Sequence, residues 1–590
     1  MNLLQYPFDG ALVLQNKRAL KRELAQKSGL ADKKIAIVCG STLGDITKIL
    51  ELFLLDSGIR PSFYEGEYAL FYEDVVFDDG SLAAFAPDVL YIHTSNRNLR
   101  FWPTPEDTAD TAAQKLEAEF AHFEAVWQAA QKLGCPIIQN NFELPAWRNF
   151  GSLDAADIRG RVRYVNMLNA RMADYAEAHP GFYIHDLAYL AAAHGLDNWC
   201  DASTWYAYHY TCAVIHIPDL AHSVANVIKS LFGRTKKSVI LDLDNTLWGG
   251  IIGDAGAEGV ELGEENPTGR VYSEFQGYLK MLSQRGILLN VASKNEEDIA
   301  ASGFEREDSV LKRDDFICFE ANWEPKSRSI AGMAASINIG ADSFVFMDDN
   351  PAEREIVRQE LPDVTIPELT MPELAIPLID RAGYFEVTAV SADDAKRNDM
   401  YKQNAERIQL AATFGNYEDY LLSLTMQAAI TPFAPEQLDR ITQLINKTNQ
   451  FNLTTRRYTL AETTTCMQDT AGYIALAGRL VDKFGDNGLI SVIIGQVQGD
   501  ALNIDLWIMS CRVFKRQMEY AMFDSLVKEC QKRGIKTIQA RWLRTTKNLL
   551  VKEFYGTIGF ALCEETEDER QYSYTVPADY ENKNKVITIE

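Results

Sequence analysis

Residues 239–250, VILDLDNTLWGG, constrain the fold of this chain more than any other stretch. Val239, Ile240 and Leu241 form an apolar run rich in β-branched residues, which reads as a buried strand. The run leads directly into Asp242 and Asp244. Burying a carboxylate without partners is costly, so a strand has no use for these acids on its own account. In an open parallel sheet, functional groups collect beyond the C-terminal ends of the strands. One Asp at the strand end and one just beyond, two apart, are therefore expected on one face of such an edge.

The surrounding pattern agrees with a parallel sheet. From the start to about residue 235, strand-like runs alternate with helical ones: KKIAIVCGS, then DITKILELFLLDSG, and later DVLYIHTS (88–95), CPIIQNN (135–141) and GFYIHDL (181–187), with a long helix before CPIIQNN. SLFGRTKK (230–237) reads as a boundary. A second alternation starts at Ser238, with strands SVILDLD, ILLNVAS and DSFVFMDD and a helix carrying Phe275, Leu279 and Leu282 on one face. The Pro-bearing stretch 361–377 closes it. A helical segment, 389–424, then joins a strand-rich third part that includes GYIALAGRLVDKFGDNGLISVIIGQVQG, ALNIDLWIMS, the helix QMEYAMFDSLVKECQKRG and the strand KTIQARW. The expected division is residues 1–235, 236–378 and 379–590, each α/β.

Three further polar features lie downstream of the two aspartates: Ser293 at the end of LLNVAS, Lys326 after NWEP, and Asp348 and Asp349 at the end of SFVFMDD. All eight histidines lie between His93 and His222, so chemistry after residue 222 cannot use imidazole. The set fits phosphoryl transfer. One carboxylate can attack phosphorus and a second can protonate the leaving group and then activate water. Further carboxylates suit Mg²⁺, a hard cation with a preference for oxygen, and Ser and Lys can hold phosphoryl oxygens.

The ordered set resembles the haloacid-dehalogenase (HAD) superfamily. That resemblance implies Asp242 as nucleophile, Asp244 as general acid/base, and Ser293 and Lys326 as phosphate-binding residues. It also implies a Mg²⁺ site made of Asp242, the main-chain carbonyl of Asp244, Asp348 and, through water, Asp349. LDLDNTLWGGIIGD, ASKNEED, FMDDNPAEREIV, INKTNQFNLTTRRY and FYGTIGF together look like the FkbH-like family, HAD subfamily IIIC, over nearly the whole chain. That likeness implies three domains: an SGNH-hydrolase-like, flavodoxin-like parallel sheet, a HAD Rossmann-like parallel sheet, and a mixed sheet similar to GNAT N-acyltransferases. Some members move a glyceryl unit from 1,3-bisphosphoglycerate to an acyl carrier protein.

The chain departs from these patterns at three places. The cysteine that precedes the motif Ser in glyceryl-transferring members is Ala292 here, which cannot hold an acyl group, although Cys318 or Cys511 offers a thiol. The N-terminal part resembles SGNH hydrolases at Ser41, Gly66 and Asn96, but their late DxxH is absent; after Asp201 the next histidine is His209. The GNAT-like finish, around Asn548, Tyr555 and Gly559, is preceded by RVFKRQ in place of a glycine-rich pyrophosphate loop. Arg512 and Arg516 could bind phosphate there through their side chains, as for a pantetheine arm or CoA.

A net charge of −25 disfavours nonspecific binding to nucleic acid or anionic membrane. No apolar run is long enough to span a bilayer, and no signal-peptide pattern is present, so a cytoplasmic protein is expected. The leading expectation is a Mg²⁺-dependent phosphatase or phosphotransferase for a small phosphorylated metabolite. The alternatives are acyl transfer to an acyl carrier protein, or a carrier-binding assembly protein with residual phosphatase activity.

Overall fold

Three sheets organise the chain in the computed structural model, which describes residues 3–390, 394, 396–545 and 547–590, apart from the side chains of residues 405 and 511. The chain divides into two units: Met1–Arg234 with Thr459–Glu462, and Thr235–Tyr458 with Thr463–Glu590. The first carries one sheet and the second carries two.

The first sheet contains β1 (Ala31–Cys39), β2 (Ile59–Glu65), β3 (Val89–His93), β4 (Ile137–Asn140) and β5 (Phe182–His185), all parallel, in the order β2-β1-β3-β4-β5. This is the doubly wound order known from flavodoxin-like folds. From Ile35 onward β1 is buried on both faces, and its alternation divides the core. Ile35 and Ile37 join Leu50 and Phe53 of α1 (Gly44–Asp56) and Val224 of α3 (Ile217–Leu231). Ala36 and Val38 join Phe123 and Trp127 of α2 (Ala109–Gln131). β2 is absent from the sequence reading because Pro61 interrupts it. As an edge strand it tolerates a residue without an N–H.

In the second unit, β6 (Ser238–Leu241), β7 (Leu288–Ser293), β8 (Phe316–Ala321) and β9 (Phe344–Met347) form a parallel sheet in the order β8-β7-β6-β9. The helices α4 (Pro267–Gln284), α5 (Lys326–Ser336) and α6 (Pro351–Glu360) belong to the same α/β part. Phe275, Leu279 and Leu282 of α4 are buried, as their spacing predicts. α7 (Arg397–Ala411) belongs to the expected helical segment, whose residues 391–393 and 395 lie outside the described residues.

The third sheet is mixed. α8 (Leu438–Lys447) and the strands β10 (Met426–Pro432), β11 (Phe451–Asn452), β12 (Tyr473–Asp482), β13 (Gly485–Gln498) and β14 (Ala501–Met509) precede α9 (Met518–Lys532). β15 (Thr537–Leu543), β16 (Ala561–Glu565), β17 (Glu569–Thr575) and β18 (Ile587–Ile589) follow it. β12, β13 and β14 are antiparallel, whereas β14 and β15, joined through α9, are parallel. β14 pairs with β15 only from Ala501 to Asn503, and its far end pairs with β11 instead. Among the described residues no helix is long and apolar enough to cross a membrane.

Candidate active site

β6 stops at Leu241, so Asp242 is the first residue beyond the strand. The two-residue strand period therefore does not govern Asp244. Asn245 takes a left-handed φ of 54°, which Asn tolerates better than most residues, and its Oδ1 accepts from Gly250 N at 2.9 Å. A larger residue at Gly249 would force its neighbours to shift: a Cβ there would lie 2.8 Å from a Glu261 carboxylate oxygen and 3.0 Å from the Tyr272 ring. The Asn-Thr and Gly-Gly of the opening stretch thus close a tight turn directly behind the two acids.

The structure brings Asp242, Lys326, Asp348 and Asp349 together. Lys326, the first residue of α5, places its Nζ 2.8 Å from Asp242 Oδ1 and donates to Asp348 Oδ2 at 2.6 Å. Asp348 has no exposed surface and Asp242 is only 6% exposed. Asp348 Oδ1 accepts from Asn350 N at 2.8 Å. Arg354 donates to the main-chain oxygens of Asp348 and Asp349, at 2.7 and 2.8 Å, and so fixes the backbone of the pair. Ser293 is buried at the end of the neighbouring β7.

Asp244 is held separately. Its Oδ1 accepts from Trp248 Nε1 at 2.9 Å and Ile252 N at 3.0 Å, and its Oδ2 accepts from Asn295 Nδ2 at 2.9 Å. These donors orient a half-buried carboxylate. The sequence reading missed Asn295, Trp248 and Arg354 as supporting residues. Their signal was only proximity: each lies within six residues of a motif acid or of Ser293.

Burial raises the Asp242 carboxyl, and Asp348 beside it adds to the rise while Lys326 opposes it. Burial likewise raises Asp349, with Asp348 adding to it. Burial pulls the Lys326 ammonium down, but Asp242 and Asp348 outweigh that and hold it above its ordinary value. Asp242 and Asp348 share one ammonium, and ligand oxygens of Asp242, Asp348 and Asp349 lie within 4.8 Å of one another. Such a cluster of hard oxygen donors, with more carboxyls than ammonium groups, fits a hard divalent cation.

The N-terminal candidates do not form a triad. Ser41 Oγ lies 2.8 Å from Thr211 Oγ1, which lies 3.2 Å from His93 Nε2. His93 Nδ1 meets Tyr91 OH at 2.8 Å, and Tyr91 donates to Asn140 Oδ1 at 2.9 Å. Asn96 donates to the main-chain oxygens of Glu143 and Leu144. His209 lies against Tyr68, tilted, and Trp205, edge-on, with centroids 5.5 and 5.4 Å away. Thr211 thus occupies the position beside Ser41 that a base would need. Burial lowers His93 to about 3, so it is neutral near pH 7.

The C-terminal candidates are also separated. Arg516 is 5% exposed and binds Asp482 at 3.3 Å and Asn487 at 3.2 Å, beside the Arg407–Asp482 pair. Asn548 donates to the main-chain oxygens of Asn452 and Leu543 and accepts from Thr545 N. Tyr555 is fully buried in the core of this part. Arg512 lines a cavity.

No protein-family model and no curated protein matches the chain. Among solved structures, the N-terminal part of BF1531 from Bacteroides fragilis, which contains a phosphatase domain and was solved in complex with Mg, is 29% identical. The match covers 63% of this chain and 99% of that one, with a TM-score of 0.59. The ribosomal-protein-S18-alanine N-acetyltransferase of Escherichia coli is 15% identical over 27% of this chain and 100% of that one, with a TM-score of 0.21. The PaiA N-acetyltransferase of Thermoplasma acidophilum, solved with coenzyme A, is 14% identical over 25% and 99%, with a TM-score of 0.20. Over the 63% matched to BF1531, the chain therefore shares its fold with a protein part that contains a phosphatase domain.

Proposed function

We propose that the chain is a Mg²⁺-dependent HAD-type phosphatase or phosphotransferase acting on a small phosphate ester or acyl phosphate. The observation that carries this reading is the buried Asp242–Lys326–Asp348 constellation at the C-terminal edge of a parallel sheet, with Asp349 beside it. Asp242, Asp348, Asp349 and the main chain at Asp244 would hold the metal. When bound, Mg²⁺ supplies the positive charge that offsets phosphate and carboxylate repulsion. Asp242 attacks phosphorus; an O–P bond forms to its carboxylate as the bond to the leaving group breaks. Asp244 donates its proton to the departing oxygen, then takes one from water as that water displaces Asp242. Ser293 and Lys326 hold the phosphoryl oxygens.

The finer likeness to FkbH-like proteins leaves acyl transfer to a carrier protein as the alternative acceptor chemistry. A thioester route needs a thiol near the end of β7. There Ala292 is fully buried in the core, and Cys318 pairs across with Asn290, short of the strand end. This favours release to water. The test is phosphate release from an aryl phosphate and from an acyl phosphate, with Mg²⁺ and after exhaustive EDTA treatment. Turnover should require the metal, and undiminished turnover in EDTA would remove the reading.

A further inference from the structure

A cavity of about 340 Å³ lies within the second unit, at the opposite edge of the phosphatase-type sheet from the clustered carboxylates. Lys237 lines it and immediately precedes β6; Asp342 and Ser343 line it and immediately precede β9. Asp242 and Asp348 follow the same two strands. At ~3.3 Å per strand residue, the two edges are roughly 15 Å apart. The remaining walls come from α7, α8 and the residues around β11 and the end of β14.

The charge of this cavity runs against that of the chain. Asp and Glu number 83 against 58 Lys and Arg overall. Among the described residues lining the cavity, Lys237, Arg397, Arg440, Lys447, Arg512 and Lys547 are cationic, against only Asp342 and Asp394. The two acids are shared. Arg440 lies 3.7 Å and Lys447 3.9 Å from Asp394, and Lys547 pairs with Asp342. Burial lowers the Lys447 ammonium to about 8; Asp394 opposes this, and Arg397, Arg440 and Lys237 add to it. Like charges from separate segments are thus crowded around one concave space. Tyr401, Leu444, Phe451 and Met509 supply an apolar and aromatic wall beside them.

Charge excess alone points to an anion, and the apolar wall points to an organic body attached to it. Concave sites of this size with a few convergent charges suit small ligands. Arg and Lys together match phosphate by charge and geometry. We propose that the cavity is a second ligand site, separate from the carboxylate site, and that it takes a small organic diphosphate: phosphate against the cations, an aromatic body against Tyr401 and Phe451.

The test is equilibrium binding of ADP to the full chain in EDTA, with pyrophosphate and adenosine as the other two probes. Without a divalent cation the carboxylate site carries excess negative charge and repels anions, so binding reports the cavity. ADP should bind once per chain, pyrophosphate more weakly and adenosine not detectably. Lys447→Gln and Lys547→Gln should each weaken ADP by about tenfold, the loss expected for one charged contact. Ser293→Ala, at the other edge, should leave ADP binding unchanged. Lys547 sits at a partly exposed rim, so its substitution keeps the test valid if Lys447→Gln fails to fold. The proposal is overturned if neither ADP nor pyrophosphate binds, if adenosine binds as well as ADP, if both Lys variants bind normally, or if Ser293→Ala abolishes binding. Pyrophosphate binding as tightly as ADP would remove the organic body from the proposal.

Discussion

The Lys326 ammonium lies 2.6 Å from Asp348 Oδ2, and that carboxylate has no contact with solvent. The same ammonium lies 2.8 Å from Asp242. One cation therefore holds two buried acids. Lys326→Met should leave both uncompensated and destabilise the metal-free protein by about 3–5 kcal/mol. Thermal unfolding with and without Mg²⁺ checks this: the loss should be large in EDTA and smaller with the metal. Equal stability of the variant and the parent in EDTA would contradict the account.

Asp348→Asn should behave oppositely. Removing one acid relieves crowding at the site, so stability in EDTA should hold or rise. For the parent chain, Mg²⁺ at ~100 times its dissociation constant should add about 2.7 kcal/mol. That increment should vanish in Asp348→Asn, and unfolding curves at graded Mg²⁺ read it directly.

Asn295→Ala removes one of three donors to Asp244. A hydrogen bond to a charged group contributes about 1.5–3 kcal/mol, so the general acid should lose its orientation in part. The rate of the first chemical step should fall about tenfold for an alkyl phosphate, whose leaving group needs the proton. It should fall less for an activated aryl phosphate. Equal losses on both substrates would show that Asn295 acts on something other than proton delivery.

Acid should weaken the first unit. Burial lowers His222 to about 3, among Tyr6, Phe8 and Phe53, and lowers His185 to about 4. A histidine lowered on folding adds stability that is complete above its unfolded value of about 6.5 and is lost as pH falls toward the folded value. Between about pH 6 and 4 each such group should cost about 1.4 kcal/mol per pH unit. His222→Phe, which keeps the aromatic contacts, should flatten the decline in melting temperature over that range. An unchanged slope would mean that His222 does not titrate on unfolding.

Much of the carboxylate cluster was legible because its residues stand at strand ends. Asp242, Ser293 and Asp348 each close an apolar run and Lys326 opens a helix, so all four stand at the same edge of one parallel sheet although its strand order, β8-β7-β6-β9, differs from the order in sequence. Asp244 was legible as a residue but not in its setting. Its orientation depends on Asn295, two residues beyond the end of β7, and on a turn through Asn245, and neither follows from strand periodicity. The other two parts were legible as folds and less so as sites. Ser41 meets Thr211, 170 positions away, rather than His209, because contacts across a sheet edge leave no spacing signal. Arg516 looked available from its neighbours, but the structure turns it inward onto Asp482. The basic cavity is built from residues between 237 and 547, so no local stretch announces it.

Everything proposed for the carboxylate site rests on Asp242 as the attacking group, and a covalent phosphoryl adduct is its direct signature. The measurement is acid quenching of the chain during turnover of an activated aryl phosphate with Mg²⁺, followed by peptide mapping by mass spectrometry. The account predicts a phosphoryl group on the peptide that carries Asp242, accumulating further in Asp244→Asn, where no base activates water, and absent in Asp242→Asn. Near-normal turnover by Asp242→Asn, or a phosphoryl group trapped on a different residue, would contradict it.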